Sequence, residues 1–169
     1  GGTSSGGTTS SGSSSGGTSS GPTIYFENGI CKCPNASVGD TEVINGITYT
    51  AVNNSTIEAK LFGTNEPSNY ICTTLITSMQ NLFSQKYTYN KDISFWDTSN
   101  VTNFSGTFGF AWAFNQDISG WVTSNATNMN QMFRNATSFN QDISGWDVSN
   151  VINMSSMFVG ADAFNQDIG

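Results

Sequence analysis

The eight residues FNQDISGW occur twice, at Phe114–Trp121 and Phe139–Trp146, twenty-five residues apart. A looser copy begins at Tyr89 (YNKDISFWDTSNVTNFSGTF), and a fourth begins at Phe164 (FNQDI). Self-similarity at a fixed period means similar units, none able to bury its apolar face without neighbours. Register then fixes the columns that build a core: Tyr89, Phe114, Phe139 and Phe164; Ile93, Ile118, Ile143 and Ile168; Trp96, Trp121 and Trp146. Further on, Met129, Met132, Phe133 and Ala136 recur as Met154, Met157, Phe158 and Ala161. Apolar residues at i, i+3, i+4 and i+7 are the spacing of one helical face. Asn128 and Asn153 stand just before it, where a side-chain oxygen can cap opening amides. The ISGWDV and ISFWDT stretches are short and β-compatible, able to stack coil on coil at about 4.8 Å. The pattern therefore predicts an α/β repeat solenoid, with a short strand and a short helix in each coil of about 25 residues. Its expected core is Phe114, Ile118, Trp121, Met129, Phe133, Phe139, Ile143, Trp146, Met154 and Phe158.

This repeat resembles that of the BspA-like leucine-rich-repeat surface proteins, whose unit reads close to FNQDISGWDVSNVTNMSSMF. The likeness covers residues 71–169, because Met79, Leu82 and Phe83 stand one period before Phe104, Thr107 and Phe108. It implies a leucine-rich-repeat-like solenoid on a secreted or cell-surface protein. The first full coil departs from the pattern, with Phe95 for Gly and with Phe104 and Thr107 for Met, and is expected to pack differently.

Three segments are expected. Residues 1–21 contain only Gly, Ser and Thr and read as a stalk or linker, with nothing to bury. Thr3, Ser4, Thr8 and Thr9 in it are candidates for O-glycosylation. Residues 22–70 read as a β-rich cap. Asn28-Gly29 and Asn45-Gly46 each separate two β-compatible runs, the signal of a two-residue hairpin. Ser55 and Glu58 have capping-box spacing before a short helix that stops at Gly63. The segment ICKCPNASVGDTEVINGITYTAV also looks like the one that precedes such repeats in the resembled family. Residues 71–169 form the repeats, with an incomplete last coil. The chain begins at Gly rather than Met, which reads as an excised or mature segment.

Charge excludes some roles. Only five Lys and Arg face twelve Asp and Glu, for a net charge of −7. Phosphate backbones and anionic membrane surfaces need clustered cations, so neither is an expected partner. No apolar run is long enough to insert into a membrane. There is no His, so no Ser-His-Asp or Cys-His catalytic set exists, and no Gly-rich phosphate loop follows a strand. The chain does not read as an enzyme.

Cys31 and Cys33 share one strand face, and Cys72 opens the repeats. In an oxidising compartment one of the pair is expected to bridge to Cys72 and staple cap to repeats. Three Cys without His fall short of a four-ligand metal set. Asn-X-Ser/Thr sequons occur at Asn35, Asn53, Asn54, Asn100, Asn103, Asn125, Asn135 and Asn153. Asn100 and Asn125 fall in one column with Asn150, and Asn103 and Asn153 fall in another with Asn128. These columns are expected to be inward-facing structural ladders. Asn35, Asn53, Asn54 and Asn135 lie off them and are the N-glycan candidates. Asp92, Asp117, Asp142 and Asp167 make a carboxylate column expected to face water or to share Ca²⁺.

The expected function is that of a secreted or cell-surface structural and adhesive module, glycosylated, and assembled head-to-tail into an extracellular fibre. Its expected partners are further copies of itself, or host and cell-surface proteins and glycans. A rival of another class is a carbohydrate-binding or carbohydrate-active protein that uses the repeat face and the aspartate column.

Overall fold

The computed structural model describes residues 23–63 and 70–168. Thr3, Ser4, Thr8 and Thr9 lie outside them. The chain opens with two antiparallel hairpins, β1 (Tyr25–Glu27) with β2 (Ile30–Lys32), and β3 (Thr41–Ile44) with β4 (Ile47–Asn53). At both turns Asn and Gly take positive φ, as a type I′ turn requires: Asn28 50° with Gly29 83°, and Asn45 52° with Gly46 80°. Helix α1 (Ile57–Phe62) follows, burying Ile57 and Leu61 and ending at Gly63. Its N-cap is Thr56 rather than Ser55, and no side chain caps it, so the expected capping box does not form. Ser55 instead donates to Asn53 Oδ1. β5 (Ile71–Leu75) then pairs in parallel with β4, giving a three-stranded sheet β3-β4-β5 beside the two-stranded β1-β2.

The expected α/β repeat solenoid does not form. The described residues contain two small sheets and one six-residue helix, and all of these precede the repeats or stand at their entry. The ISGWDV-type stretches turn instead of extending, with Trp121 N bonded to Ile118 O and Trp146 N to Ile143 O. Parallel pairing between repeats is limited to single bridges, Ser78 to Asn103, Asn103 to Asn128, and Asn128 to Asn153.

The helix fails for a reason visible in the backbone amides. A helix bonds every N–H to the carbonyl four residues back. Here the N–H groups alternate. Those of Met129, Gln131, Phe133 and Asn135 donate onward to Asn153, Ser155, Met157 and Val159 in the next repeat, at 2.7–2.9 Å. Those of Met132, Arg134 and Ala136 donate three residues back, closing tight turns. The same alternation runs one repeat earlier, from Phe104, Gly106, Phe108 and Phe110 to Asn128, Asn130, Met132 and Arg134. It requires a left-handed residue at every fourth position, which a helix cannot contain. Asn81, Gly106, Gln131 and Ser156 supply it in one column, with φ of 55–61°. Gln85, Phe110, Asn135 and Gly160 supply it in the other, at 55–72°.

Side chains continue the stacking. Phe83, Phe108, Phe133 and Phe158 form one file of near-parallel rings with centroids 5.2, 5.5 and 5.6 Å apart. Phe114, Phe139 and Phe164 form another, at 6.1 and 5.8 Å. Trp121 and Trp146 each donate Nε1–H to a carbonyl of the preceding repeat, Ile93 and Ile118, at 3.2 Å. Phe114, Ile118, Trp121, Met129, Phe133, Phe139, Ile143 and Trp146 are buried, and Phe158 is half-buried. Met154 corrects the expected core: it is 39% exposed. Among the described residues no complete repeat lies over it, and Val148, Ile152 and Val159 beside it are exposed as well.

The first full repeat packs differently because it meets the hairpins. Phe95 sits 6.2 Å from the Phe26 ring and 6.0 Å from Tyr49, and its carbonyl accepts from Cys31 N. Thr107 places Oγ1 2.7 Å from Phe104 O and 3.0 Å from Met79 O, so a hydroxyl bond stands where Met packs later.

Candidate functional site

The three cysteines converge where the β1-β2 hairpin meets the first repeat. All are fully buried, and all are free thiols, so the expected bridge to Cys72 is not present. Cys72 is hydrogen-bonded with Cys31, which, together with burial, pushes its thiol up to about 12. Cys33 is raised too, first by its hydrogen bond with Cys72 and then by burial. Thiols held protonated are poor nucleophiles and poor metal ligands.

Beside them lies a buried polar junction. Thr74 Oγ1 accepts from Cys33 N at 3.0 Å and donates to Asp97 Oδ2 at 2.8 Å. Lys32 Nζ reaches Asp97 Oδ1 at 3.0 Å, and Ser99 donates to the same oxygen. Burial alone would raise the Asp97 carboxyl. The bonds from Ser99, Thr74 and Lys32 outweigh it and hold the group below the usual carboxylate range. Every polar atom of this junction has a partner on the hairpin or the repeats, so its chemistry is that of a clamp.

The aspartate column faces solvent and serves the turns. Asp92, Asp117 and Asp142 each accept through Oδ1 from the N–H of a Ser two residues on, at 2.9 Å. The Ser119 hydroxyl, at 2.7 Å, and then the turn N–H hold Asp117 below its ordinary value, and the turn N–H of Ser144 does the same for Asp142. Asp167 is exposed in the same register. Among the described residues no three Asp, Glu or Cys gather as a metal site would require, so the column offers no assembled Ca²⁺ cage.

The asparagine columns do form ladders, the first at the surface rather than inward and the second half-buried at Asn103 and Asn128. Asn100, Asn125 and Asn150 are exposed and donate Nδ2–H to the carbonyls of Thr74, Ser99 and Ser124 in the preceding repeat. Asn103, Asn128 and Asn153 accept from backbone two residues on. Of the four N-glycan candidates, Asn35 is exposed. Asn53 Oδ1 is engaged by Ser55. Asn54 bonds Thr77 through both amide atoms, and Asn135 is a half-buried left-handed residue against Gly160.

Two features escaped the sequence reading. A third ladder runs through Asn90, Asn115, Asn140 and Asn165, each Oδ1 accepting the backbone N–H of the next member at 2.9 Å. The repeat alone could have revealed it, since these residues share a register. The second is a groove of about 450 Å³ between the end of α1 and the first repeat, lined by Phe62, Lys86, Tyr87, Tyr89, Asn90 and Lys91 among others. Lys86 Nζ stands 4.2 Å from the centre of the Phe62 ring. At its rim the exposed rings of Tyr87 and Trp112 lie 4.2 Å apart. No helix among the described residues is long and apolar enough to cross a membrane.

No curated protein and no solved structure matches the chain. A family model does, over residues 51–169, which takes in the end of β4, then α1, β5 and all the repeats. The chain belongs to that family, described as Mycoplasma protein of unknown function, DUF285.

Proposed function

We propose that this chain is a BspA-like repeat module that works outside the cell, as a structural and adhesive element of the surface. The observation that carries this reading is the use of its polar side chains. Asn and Thr columns are tied into bonds from one repeat to the next, as in Thr73 to Asp97 O, Thr98 to Val122 O and Thr123 to Asp147 O at 3.0 Å. Such a layout yields a stiff, weakly charged surface that can be lengthened repeat by repeat, which suits display and support. The exposed apolar face at Val148, Ile152, Met154 and Ile168 supports the further proposal that copies meet end to end.

Two measurements test this. Intact source cells treated with an impermeant amine-reactive biotin should yield labelled protein, and labelling only after lysis contradicts the surface placement. Sedimentation of the purified chain should show growing assemblies that Ile152→Asp dissolves, and a monomer at all concentrations contradicts end-to-end contact.

A further inference from the structure

The groove beside α1 differs from the rest of the surface in three respects. Among the described residues its lining holds two of the chain's five cationic side chains, Lys86 and Lys91, and no carboxylate, on a chain of net charge −7. Neither lysine joins an ion pair among the described residues; the nearest acid in sequence, Asp92, accepts from Ser94 N, and after burial its charge is the second cause that raises the Tyr89 hydroxyl. The aromatic rim is confined to this place. Tyr87 and Trp112 are 43% and 49% exposed, while the same column continues as Thr137 and Asp162. Large rings left in water beside a groove mark a contact surface.

The third respect is an orphan. Tyr89 Oη is buried behind the groove wall, without a hydrogen-bond partner among the described residues. The later repeats carry Phe114, Phe139 and Phe164 at this register, so the hydroxyl is a feature of the groove repeat and not of the stacking. Nearby, the Asn90 amide has its oxygen taken by Asn115 N and Gln116 Nε2, both at 2.9 Å, which leaves its N–H₂ as the outward donor.

We propose that this groove binds a carboxylate-bearing saccharide. The C–H face of a pyranose suits the faces of Trp112 and Tyr87, since ring faces are negative and apolar. The sugar carboxylate is drawn to Lys86 and Lys91, and sugar hydroxyls meet the Asn90 amide. A second groove of about 420 Å³, between β4 and α1, has one lysine, Lys60, and no aromatic ring among its described lining residues. The proposal gives the adhesive reading a ligand class and rests on that reading only for its setting. Saccharide binding in solution and placement on the cell surface can each fail without the other.

The test is calorimetric titration of the full chain with a glucuronic-acid tetrasaccharide, a neutral glucose tetrasaccharide of equal length, and an oligoglutamate peptide. The uronate should bind, and its binding should weaken as salt is raised. The paired substitution Lys86→Gln with Lys91→Gln, and Trp112→Ala separately, should each weaken binding about tenfold or more. Tyr89→Phe should leave the thermal midpoint unchanged or raised, because Phe already occupies this register elsewhere. Absence of uronate binding overturns the proposal. So does equal affinity for the neutral sugar or the peptide, or full affinity in either the lysine pair or Trp112→Ala.

Discussion

Replacing Trp121 by Ala probes the stacking where the rings are densest. The indole is 3% exposed, its ring centroid is 6.0 Å from Phe104 and 5.8 Å from Phe108, and its Nε1–H reaches Ile93 O at 3.2 Å. Truncating a buried Trp to Ala costs about 3–5 kcal/mol in lost burial and residual cavity. Trp121→Phe keeps a ring and removes the donor; Ile93 O keeps its bond from Trp96 N at 3.2 Å, so the hydrogen-bond loss is about 0.5–1.5 kcal/mol. Trp112→Ala, at a residue 49% exposed, should cost under about 1 kcal/mol. Urea unfolding followed by far-ultraviolet circular dichroism should therefore rank the midpoints as wild type and Trp112→Ala first, then Trp121→Phe, then Trp121→Ala. The reasoning is refuted if Trp121→Ala unfolds at the wild-type midpoint, or no earlier than Trp112→Ala.

Three other outcomes are expected. Gly106→Ala should destabilise the chain by about 1–3 kcal/mol, because its φ is 61° and a Cβ would collide with Asn81 Oδ1; Gly120→Ala and Gly145→Ala, with open space around them, should be near neutral in the same urea titration. Asp97 is held below its ordinary value, so its contribution is full above the unfolded carboxyl pKa of about 3.9 and is lost as pH falls through the lower folded value. Thermal midpoints measured from pH 6 to 2 should fall less steeply in Asp97→Asn than in wild type, and parallel slopes would contradict the clamp. The thiols should resist iodoacetamide in the folded chain and all three should react in denaturant, as burial and the raised Cys33 and Cys72 thiols require; rapid native labelling, or a mass two hydrogens light, would contradict the free-thiol cluster.

The period, the Phe, Ile and Trp columns and the two Asn-Gly hairpins were legible in the sequence, because each follows from register or from a turn that only certain residues tolerate. The internal structure of a repeat was not. Met129, Met132, Phe133 and Ala136 have the spacing of a helical face, but turns closed every few residues by left-handed positions put the same residues inward. Apolar spacing reports which side chains are buried and not where the amides go. A hint was present in Asn81, Gly106, Asn135 and Gly160, residue types that accept positive φ, recurring at two registers. The groove was hidden for a different reason: Phe62 and Lys86 come together through the docking of α1 on the first repeat, which no periodicity describes. Met154 misled because a column predicts burial only where both neighbours are present.

The account stands on backbone bonds that run from one repeat to the next in place of a helix. Scalar couplings across hydrogen bonds, measured by nuclear magnetic resonance on labelled protein, identify each donor's acceptor directly. Cross-peaks should join the nitrogens of Phe104, Phe108, Met129 and Phe133 to the carbonyl carbons of Asn128, Met132, Asn153 and Met157. A coupling from Phe133 nitrogen to the Met129 carbonyl, four residues back, would restore the helix and contradict the account.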